Sequence, residues 1–445
     1  MSKNFVLIDK KIKDYNKKIY VDGDKSLSIR WALLASQAIG ISTAKNLLKS
    51  EDVQNTLNCL KKLGIKVIQK QNICSILGRG LNGFIFKKNI ILNAGNSGTL
   101  GRLILSLLIK SPYKIKIVGD KSLSKRDFSR VIEPLKNIGV NFYPANKSKL
   151  PIFIKGSNYL RPIKYIENKG SAQCKTCVML ASLNVPGKIK IKAKSSRDHT
   201  ENMFKALKIP IKTKKTFKYD FITLSKPKLI KKFDFNIPGD ISSASFFIVL
   251  TLLSENSKII LKNININATR IGLIKILNIM GAKIKFKNVK IINGEKCSDI
   301  EVKSVKKLKS IRCPTYLNSA AIDEFMIIFL VAAKAKGISY FKDLSELNQK
   351  ESPRLKIAAR ILKNMGVKLR YDDNSIKIYG NPNLELKKKI VIKDFLKDHR
   401  IFMMSVIAAY TFGGKWEIDD CDSYKSSFPS FLNIIKELGY KFKIS

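Results

Sequence analysis

The chain has 445 residues, more than a single hydrophobic core usually accommodates, so two domains are expected. Its 45% hydrophobic content excludes an intrinsically disordered protein, and its longest apolar runs, Phe325–Ala333 and Ile401–Phe412, are shorter than the roughly 18 residues of a membrane-spanning helix. The N-terminus lacks the apolar stretch and small-residue cleavage site of a signal peptide, which predicts a cytoplasmic protein.

The net charge of +50 allows two interpretations. It indicates either a surface that binds a polyanion, such as nucleic acid or a membrane, or a lysine-biased surface without a partner. Lysines outnumber arginines and are spread along the whole chain, whereas nucleic-acid-binding proteins tend to cluster their charge and to use arginine. We therefore favour the second interpretation, and we expect no nucleic-acid or membrane partner.

One cysteine pair, Cys174 and Cys177, has the spacing of a metal or redox motif. A zinc site needs a second pair or nearby histidines, and the chain has only His199 and His399. The seven cysteines are scattered and odd in number, which argues against a disulfide framework. We expect structural thiols and no metal.

A pattern of an amphipathic helix, a Leu/Ile/Met-Gly ending and an alternating strand recurs along the chain. The glycine stands where a helix C-terminus needs a left-handed residue, and the alternation is typical of a half-buried strand. Six copies indicate two similar domains of three α/β units, with a basic, Pro/Gly-punctuated crossover at 228–240. The copies are Leu60–Val67, Leu135–Val140, Phe204–Ile209 (which lacks the glycine), Leu277–Ala282, Leu362–Val367 and Ile435–Tyr440.

Polar clusters in the first half stand at predicted helix starts, where free N–H groups and the helix dipole favour an anion. A single cluster is explained by ordinary capping, but five suggest convergence on one anionic pocket. The glycine-rich loop among them is neither a Walker loop nor a dinucleotide-binding fingerprint. The clusters are Asp24–Arg30 (before the apolar helix Trp31–Ala38), Asn93–Arg102, Gly119–Arg126 with Arg130, Gly170–Lys175 and Ser195–Glu201.

The second half adds charged clusters next to apolar helices. Each acid in them has an equally simple interpretation as a helix cap. Their repetition at corresponding places in the units favours a functional role. The clusters are Asn318–Glu324, Lys350–Arg354 before the predicted helix Leu355–Leu362, and Asp398–Arg400 before Ile401–Tyr410, with Lys425 in addition.

Taken in order, these clusters resemble the motifs of the 5-enolpyruvylshikimate-3-phosphate (EPSP) synthase family, from about Asp22 to Phe431. The resemblance implies an α/β (α+β) fold of two similar domains, each of three repeated α/β units in an inside-out α/β barrel, with the active site in the interdomain cleft. It assigns 1–22 together with 239–445 to one domain and 23–238 to the other. The motifs are Asp24-Lys25-Ser26 with Arg30, Gly95–Thr99, Ser171-Ala172-Gln173, Lys350-Glu351 with Arg354, and Asp398-His399-Arg400.

The family's reaction moves the enolpyruvyl group of phosphoenolpyruvate to the 5-hydroxyl of shikimate 3-phosphate and releases phosphate. It belongs to the shikimate pathway to chorismate and the aromatic amino acids. It proceeds through a tetrahedral adduct, with no metal, no cofactor and no covalent enzyme step. The resemblance further implies a monomer whose only partners are these two small anions.

Residue by residue, the resemblance implies that Asp323 takes the proton of the 5-hydroxyl. Lys25 and Glu351 would exchange protons with the methylene carbon and the departing phosphate. The residues implied for shikimate 3-phosphate are Lys25, Ser26, Arg30, Ser171, Ala172, Gln173, Arg197, Asp323 and Lys350. Those implied for phosphoenolpyruvate are Lys25, Asn96, Gly98, Arg126, Gln173, Arg354, Arg400 and Lys425.

Several positions depart from the family pattern or vary within it. Ala172 replaces a serine seen in part of the family, and Pro353 occupies a position that is often Asp. Arg197 follows the branch that reads Ser-Arg-Asp-His-Thr. Gly98 is the small residue that usually leaves room for the herbicide glyphosate, so we expect glyphosate to compete with phosphoenolpyruvate.

Two alternatives remain at this stage. The sister enzyme that transfers enolpyruvyl to UDP-N-acetylglucosamine usually carries a cysteine in the loop matching Gly119–Arg130, and this loop has none. A non-catalytic basic protein that binds nucleic acid would have clustered arginines and exposed aromatic residues. The motifs favour the EPSP synthase family over both.

Overall fold

The computed structural model describes residues 4–11, 14–216 and 218–444. Helices and strands alternate along this part of the chain. The helices are α1 (Lys25–Ser36), α2 (Glu51–Lys62), α3 (Gly98–Leu107), α4 (Ser129–Ile138), α5 (Ala172–Ala181), α6 (His199–Ala206), α7 (Ile241–Leu253), α8 (Gly272–Ile279), α9 (Asn318–Ala321), α10 (Phe325–Lys334), α11 (Arg354–Asn364), α12 (His399–Phe412) and α13 (Phe431–Glu437).

The strands are short, and several alternate buried and exposed side chains, as strands with one solvated face do. They are β1 (Phe5–Ile8), β2 (Asn16–Ile19), β3 (Ile39–Lys45), β4 (Lys66–Lys70), β5 (Ile73–Arg79), β6 (Ile91–Asn93), β7 (Ile115–Val118), β8 (Asn141–Tyr143), β9 (Ile152–Lys155), β10 (Lys164–Glu167), β11 (Lys188–Lys194), β12 (Ile211–Lys215), β13 (Tyr219–Ser225), β14 (Asp234–Asn236), β15 (Lys258–Asn265), β16 (Lys285–Ile292), β17 (Glu295–Lys303), β18 (Gly337–Phe341), β19 (Lys368–Tyr371), β20 (Ile376–Gly380), β21 (Leu386–Ile392), β22 (Gly413–Asp419) and β23 (Lys443–Ile444).

The chain forms two compact units, each with its own hydrophobic core. The first unit comprises the chain up to Asp22, Pro238–Lys290 and the chain from Lys296 onward, and the second comprises Gly23–Ile237 and Ile291–Glu295. These units differ from the predicted domains at Pro238 and at Ile291–Glu295. The second difference has a physical cause, since Glu295 lies 2.8 Å from the Nδ1 atom of His199 in the second unit.

Each unit contains three sheets built by one rule. In the four-stranded sheets two parallel strands stand side by side, and two further strands follow them in antiparallel order. The second unit has the orders β14-β3-β5-β4, β6-β7-β9-β8 and β10-β11-β13-β12, and the first has β2-β15-β17-β16, β21-β22-β1-β23 and β18-β20-β19. In the three-stranded sheet, isolated parallel bridges at Lys309 and Arg312 stand where the missing strand would lie.

The six copies of the predicted repeat are all present. Each amphipathic helix (α2, α4, α6, α8, α11 and α13) is followed by a residue with a left-handed backbone and then by a strand. Glycine supplies that conformation in five copies, because it lacks the Cβ that disfavours positive φ. In the copy without glycine, Lys208 itself adopts the left-handed conformation, with a φ of 55°.

The other helix of each repeat (α1, α3, α5, α7, α10 and α12) is buried along most of its length. Helices α7 and α12 are buried at every residue, as expected for helices that are apolar on all sides. None of the helices in the described ranges is both long and apolar enough to cross a membrane.

Two of the buried helices, α1 and α12, begin earlier than their apolar runs predict. Helix α1 starts at Lys25 rather than Trp31, because Asp24 accepts a hydrogen bond from the amide of Leu27 (2.9 Å). Asp398 caps α12 in the same way through the amide of Arg400 (3.0 Å). The polar clusters therefore form the first turns of these helices.

The repeat generates a prediction on stability. Gly366, after α11, has a φ of 83°, and a Cβ added there would contact nothing within 4 Å. Gly366→Ala should lower the free energy of unfolding by about 1 kcal/mol, which is the backbone cost of a left-handed alanine. Chemical denaturation followed by circular dichroism measures it.

The matched variant is Gly64→Ala at the corresponding place after α2. A Cβ there would lie 2.1 Å from the carbonyl oxygen of Ile85, so this variant should lose clearly more stability than Gly366→Ala. Equal losses would contradict the additional steric cost expected at Gly64.

Candidate active site

Lys25 and Ser26 open α1 in the second unit. The Nζ atom of Lys25 lies 3.2 Å from Oδ2 of Asp52, in the first turn of α2, and the lysine side chain keeps 21% of its exposure. Lys25 is thus held at a helix start while it still reaches solvent. The sequence prediction did not include Asp52, which is separated from Lys25 by a strand and a turn.

Arg30, one turn further along α1, is almost completely buried. Its guanidinium donates to the hydroxyls of Thr200 (2.9 Å) and Thr176 (3.2 Å) and to the carbonyl of Ser26 (3.1 Å). These bonds fix Arg30 to the starts of α5 and α6 within the same unit.

Gly98 is the first residue of α3, where Ser97 caps the helix. A Cβ added to Gly98 would lie 3.0 Å from guanidinium nitrogens of both Arg102 and Arg126. Arg126 also donates to the side-chain oxygen of Asn96 (3.3 Å). Glycine therefore leaves space beside two cations, and a larger residue would fill it.

Gln173 joins α5 to α3. Its amide nitrogen donates to Thr99 (2.9 Å), and its oxygen accepts from Arg102 (2.8 Å). Burial lowers the pKa of Arg102, and the neighbouring cation Arg126 adds to this effect. The sequence prediction quoted Arg102 in a cluster but gave it no role.

Ser171 caps α5 by accepting from the amide of Cys174 (3.3 Å), and Ala172 is the first helical residue. The amide of Ser171 donates to Glu167 (3.0 Å). Arg197 lies half-buried in the turn before α6. The structure thus brings Lys25, Ser26, Arg30, Asn96, Gly98, Arg126, Ser171, Ala172, Gln173 and Arg197 to helix starts and preceding turns of one unit.

The first unit carries a network of acids around Arg354, which opens α11 and is 1% exposed. Its Nε lies 2.9 Å from Asp398, its Nη2 lies 2.5 Å from Glu351, and its Nη1 lies 3.4 Å from Asp323. Burial opposes the charge, but these carboxylates raise the pKa of Arg354 far above its usual range. In turn, although burial acts in the other direction, Arg354 holds the pKa of Asp398 below its usual value.

Asp323 stands between two cations. One of its oxygens lies 3.4 Å from the Nζ of Lys350 and 3.4 Å from Nη1 of Arg354. Arg400 donates to the main-chain carbonyl of Asp323 (3.1 Å) and lies 3.8 Å from Glu324. The network therefore contains Asp323, Lys350, Glu351, Arg354 and Arg400.

Lys425, also predicted to bind phosphoenolpyruvate from the first unit, is not part of this network. It lies in a short 3-10 helix, Ser423–Ser426, where its Nζ pairs with Asp422 (2.7 Å) and half of its side chain is exposed. The hydrogen bond from Lys425 to Asp422 raises the pKa of Lys425.

The sequence prediction also missed the buried ion pair of Arg270 with Asp240. Arg270, 2% exposed, donates to Asp240 (3.0 Å) and Ser242 (2.8 Å) at the start of α7, and Ser242 also bonds to Glu324. The signal was present, because Asp240 precedes an apolar run just as Asp24 and Asp398 do.

Cys174 and Cys177 are buried, and burial raises the pKa of both thiols. Neither thiol is therefore poised as a thiolate for redox chemistry. Within the described ranges, no group of three or more His, Cys, Asp or Glu side chains is arranged to hold a metal.

The Arg354 network predicts a large effect on stability. Arg354→Met should lower the free energy of unfolding by about 3–5 kcal/mol, because it leaves buried carboxylates without their cation. Arg360→Met is the matched control on the same helix, since Arg360 is exposed and donates to the main-chain oxygens of Lys393 and Asp394. Thermal unfolding of both variants measures the difference, and similar melting temperatures would contradict the assignment.

The chain matches the family model described as EPSP synthase (3-phosphoshikimate 1-carboxyvinyltransferase) over residues 10–435. It is 40% identical over 421 residues to 3-phosphoshikimate 1-carboxyvinyltransferase of Ruthia magnifica, covering 94% of each chain. It is 36% identical over 427 residues to the same enzyme of Petrotoga mobilis, covering 95% of this chain and 97% of the relative.

Solved structures agree with these relatives. EPSP synthase of Acinetobacter baumannii superposes with a TM-score of 0.87 at 31% identity, covering 99% of this chain and all of the other. The enolpyruvyl transferase NikO of Streptomyces tendae, 12% identical, shares the fold with a TM-score of 0.76. The predicted α/β fold class and the predicted family are both confirmed. The chain belongs to the EPSP synthase family and is an enolpyruvyl transferase that acts on phosphoenolpyruvate and shikimate 3-phosphate in aromatic biosynthesis.

Proposed function

We propose that the side-chain groups of both units serve this one reaction, which gives 5-enolpyruvylshikimate 3-phosphate and phosphate. The observation that carries the proposal is the position of Asp323 between the cations Lys350 and Arg354, in a chain whose family match spans residues 10–435. Both substrates bear phosphate and carboxylate groups. A proton acceptor surrounded by cations suits such substrates, because the cations bind the anions while the carboxylate takes the proton.

Asp323 is the proposed base for the 5-hydroxyl. Its side chain is 13% exposed, so a substrate hydroxyl can reach it. Lys350 and Arg354 both lie 3.4 Å from its carboxylate. When Lys350 turns to the phosphate or carboxylate of shikimate 3-phosphate, the carboxylate of Asp323 becomes available to the hydroxyl.

Lys25 and Glu351 are the proposed partners in proton exchange with the methylene carbon and the departing phosphate. Asp52 holds Lys25, and Arg354 holds Glu351, so each group has a fixed place before substrate arrives. Such prior orientation saves the cost of arranging charges during the reaction.

The remaining side chains are the proposed anion ligands. Ser26, Arg30, Ser171, Gln173, Arg197 and Lys350 would bind shikimate 3-phosphate, with the free amides at the start of α5 receiving an anionic group. Arg126, Arg354, Arg400 and Lys425 would bind phosphoenolpyruvate. Lys425 must then leave Asp422 for the substrate, since the two are paired here.

We also infer a cytoplasmic monomer that needs no cofactor or metal. The monomer is tested by the molar mass in solution from light scattering after size-exclusion chromatography. A mass of two chains or more would contradict it, and loss of activity on chelation would contradict the absence of a metal.

The central test is the release of phosphate from phosphoenolpyruvate with shikimate 3-phosphate as acceptor. Asp323→Asn and Glu351→Gln should each reduce kcat by about 100-fold or more, because each removes a proton-transfer group. Lys25→Met should do the same. Glu346→Gln, an exposed glutamate of the preceding 3-10 helix Ser345–Gln349, should retain the activity of the unchanged protein.

Turnover with UDP-N-acetylglucosamine but not with shikimate 3-phosphate would favour the sister enzyme instead. Salt-sensitive nucleic-acid binding without turnover of either acceptor would favour a basic binding protein. If all three variants stay active, the assignment of the catalytic residues is wrong even though the family is right.

We further propose that glyphosate competes with phosphoenolpyruvate. Gly98→Ala should raise both the glyphosate inhibition constant and the KM for phosphoenolpyruvate, because its Cβ would lie 3.0 Å from Arg102 and Arg126. Steady-state inhibition at varied phosphoenolpyruvate measures both constants, with Gly366→Ala as a control far from these arginines in sequence. Unaltered activity at millimolar glyphosate would contradict the proposal.

A further inference from the structure

Lys175, in the second turn of α5, has a completely buried side chain. Its Nζ lies 2.6 Å from Glu201 Oε1 on α6 and 3.7 Å from Asp220 Oδ2 on β13. Both acids are themselves buried, with side chains 3% and 7% exposed. Removing three charges from water is costly, and well-packed apolar side chains often stabilise such a place at least as well.

The ion pair connects two helix starts that the proposed function uses. Lys175 lies one turn after Ser171, and Glu201 lies one turn after Arg197. A single rigid contact thus sets the spacing between the capped start of α5 and the turn that carries Arg197.

A second connection runs beside the first. Thr176 and Thr200, the sequence neighbours of Lys175 and Glu201, share a hydrogen bond of 2.7 Å between their hydroxyls. Arg30 donates to both hydroxyls, at 3.2 Å and 2.9 Å. The direction of the Arg30 guanidinium therefore depends on the same register between α5 and α6.

The second acid extends the network to the turn itself. Asp220 accepts a hydrogen bond from the hydroxyl of Ser195 (3.3 Å), and Ser195 opens the segment 195–198 that precedes α6. Lys175 is therefore linked to the loop that bears Arg197 from two sides, through Glu201 and through Asp220.

We propose that Lys175 is a positioning residue for shikimate 3-phosphate: its ion pairs hold Ser171, Arg197 and Arg30 in the register that binds this substrate. Lys175 is buried and does not touch the ligand itself. The inference rests on the proposed function, which assigns those three residues to shikimate 3-phosphate. Of the side chains assigned to phosphoenolpyruvate, only Gln173 shares α5 with Lys175, and Gln173 is bonded to Thr99 and Arg102 of α3, so phosphoenolpyruvate binding depends less on Lys175.

The test compares Lys175→Met with the double variant Lys175→Met/Glu201→Gln. The single variant leaves Glu201 without its cation and is expected to unfold at a lower temperature. The double variant also removes the unpaired glutamate charge, and Asp220 keeps its bond to Ser195, so the melting temperature should recover in large part.

In both variants the KM for shikimate 3-phosphate should rise by about tenfold or more, since small displacements of binding groups have large effects. The KM for phosphoenolpyruvate should change by less than about threefold. The matched control is Lys136→Met/Glu133→Gln, which removes an exposed ion pair of α4 in the same unit and should change neither constant.

A purely structural role predicts a different result. The double variant would then recover both its melting temperature and the original KM for shikimate 3-phosphate, and this outcome would overturn the inference. An equal rise in both KM values would overturn it as well. Failure of the proposed function is distinguishable, because the unchanged protein would then release no phosphate with shikimate 3-phosphate.

Where Lys175→Met alone does not fold, the double variant carries the test. Calorimetric titration of shikimate 3-phosphate into the folded double variant, without phosphoenolpyruvate, gives the affinity directly. A dissociation constant raised by about tenfold supports the inference, and one equal to that of the unchanged protein overturns it.

Discussion

Helices α1, α3, α5, α7, α10 and α12 are buried along most of their length, and this burial constrains where the protein can carry polar chemistry. A helix surrounded by apolar side chains cannot hold charged groups in its middle without partners. Its first turn is different, because the amide groups there need acceptors and attract anions. In five of these six helices a capping side chain accepts a hydrogen bond from one of these amides. The caps are Asp24, Ser97, Ser171, Asp240 and Asp398. Most of the candidate site residues lie in these first turns, where anions are attracted, or in the loops before the amphipathic helices.

The buried cations of the two units differ in the charge of the groups that surround them. In the second unit, the cations Arg30 and Arg102 are held by neutral groups, namely threonine hydroxyls and the amide of Gln173. In the first unit, Arg354 is surrounded by three carboxylates, so its charge is largely balanced. The first arrangement is consistent with the proposed binding of anions, and the second with the proposed proton transfer by carboxylates held next to a buried cation.

The sequence alone was sufficient for the repeat, because both of its signals are local. The helix ending and the following alternation depend on neighbouring residues only, and even Lys208 in the degraded copy keeps the left-handed conformation. The partners of the site residues were not predictable in this way. Asp52 next to Lys25 and Arg270 next to Asp240 depend on contacts across strands and turns. The pairing of Lys425 with Asp422 is local, since the two are three residues apart, but the position of Lys425 outside the Arg354 network depends on the tertiary fold.

Burial distinguishes cations that require specific partners from exposed cations that can simply reflect composition. An exposed lysine costs the folded state little, so a bias toward lysine can fill a surface with such residues without any selection for function. A buried cation is different, because its desolvation must be offset by partners placed at the right distance. Lys175 and Arg354 have such partners, and both stand beside helix starts that carry candidate ligands. In a protein this rich in lysine, a buried and paired cation is therefore a stronger candidate for a specific role than an exposed lysine taken alone.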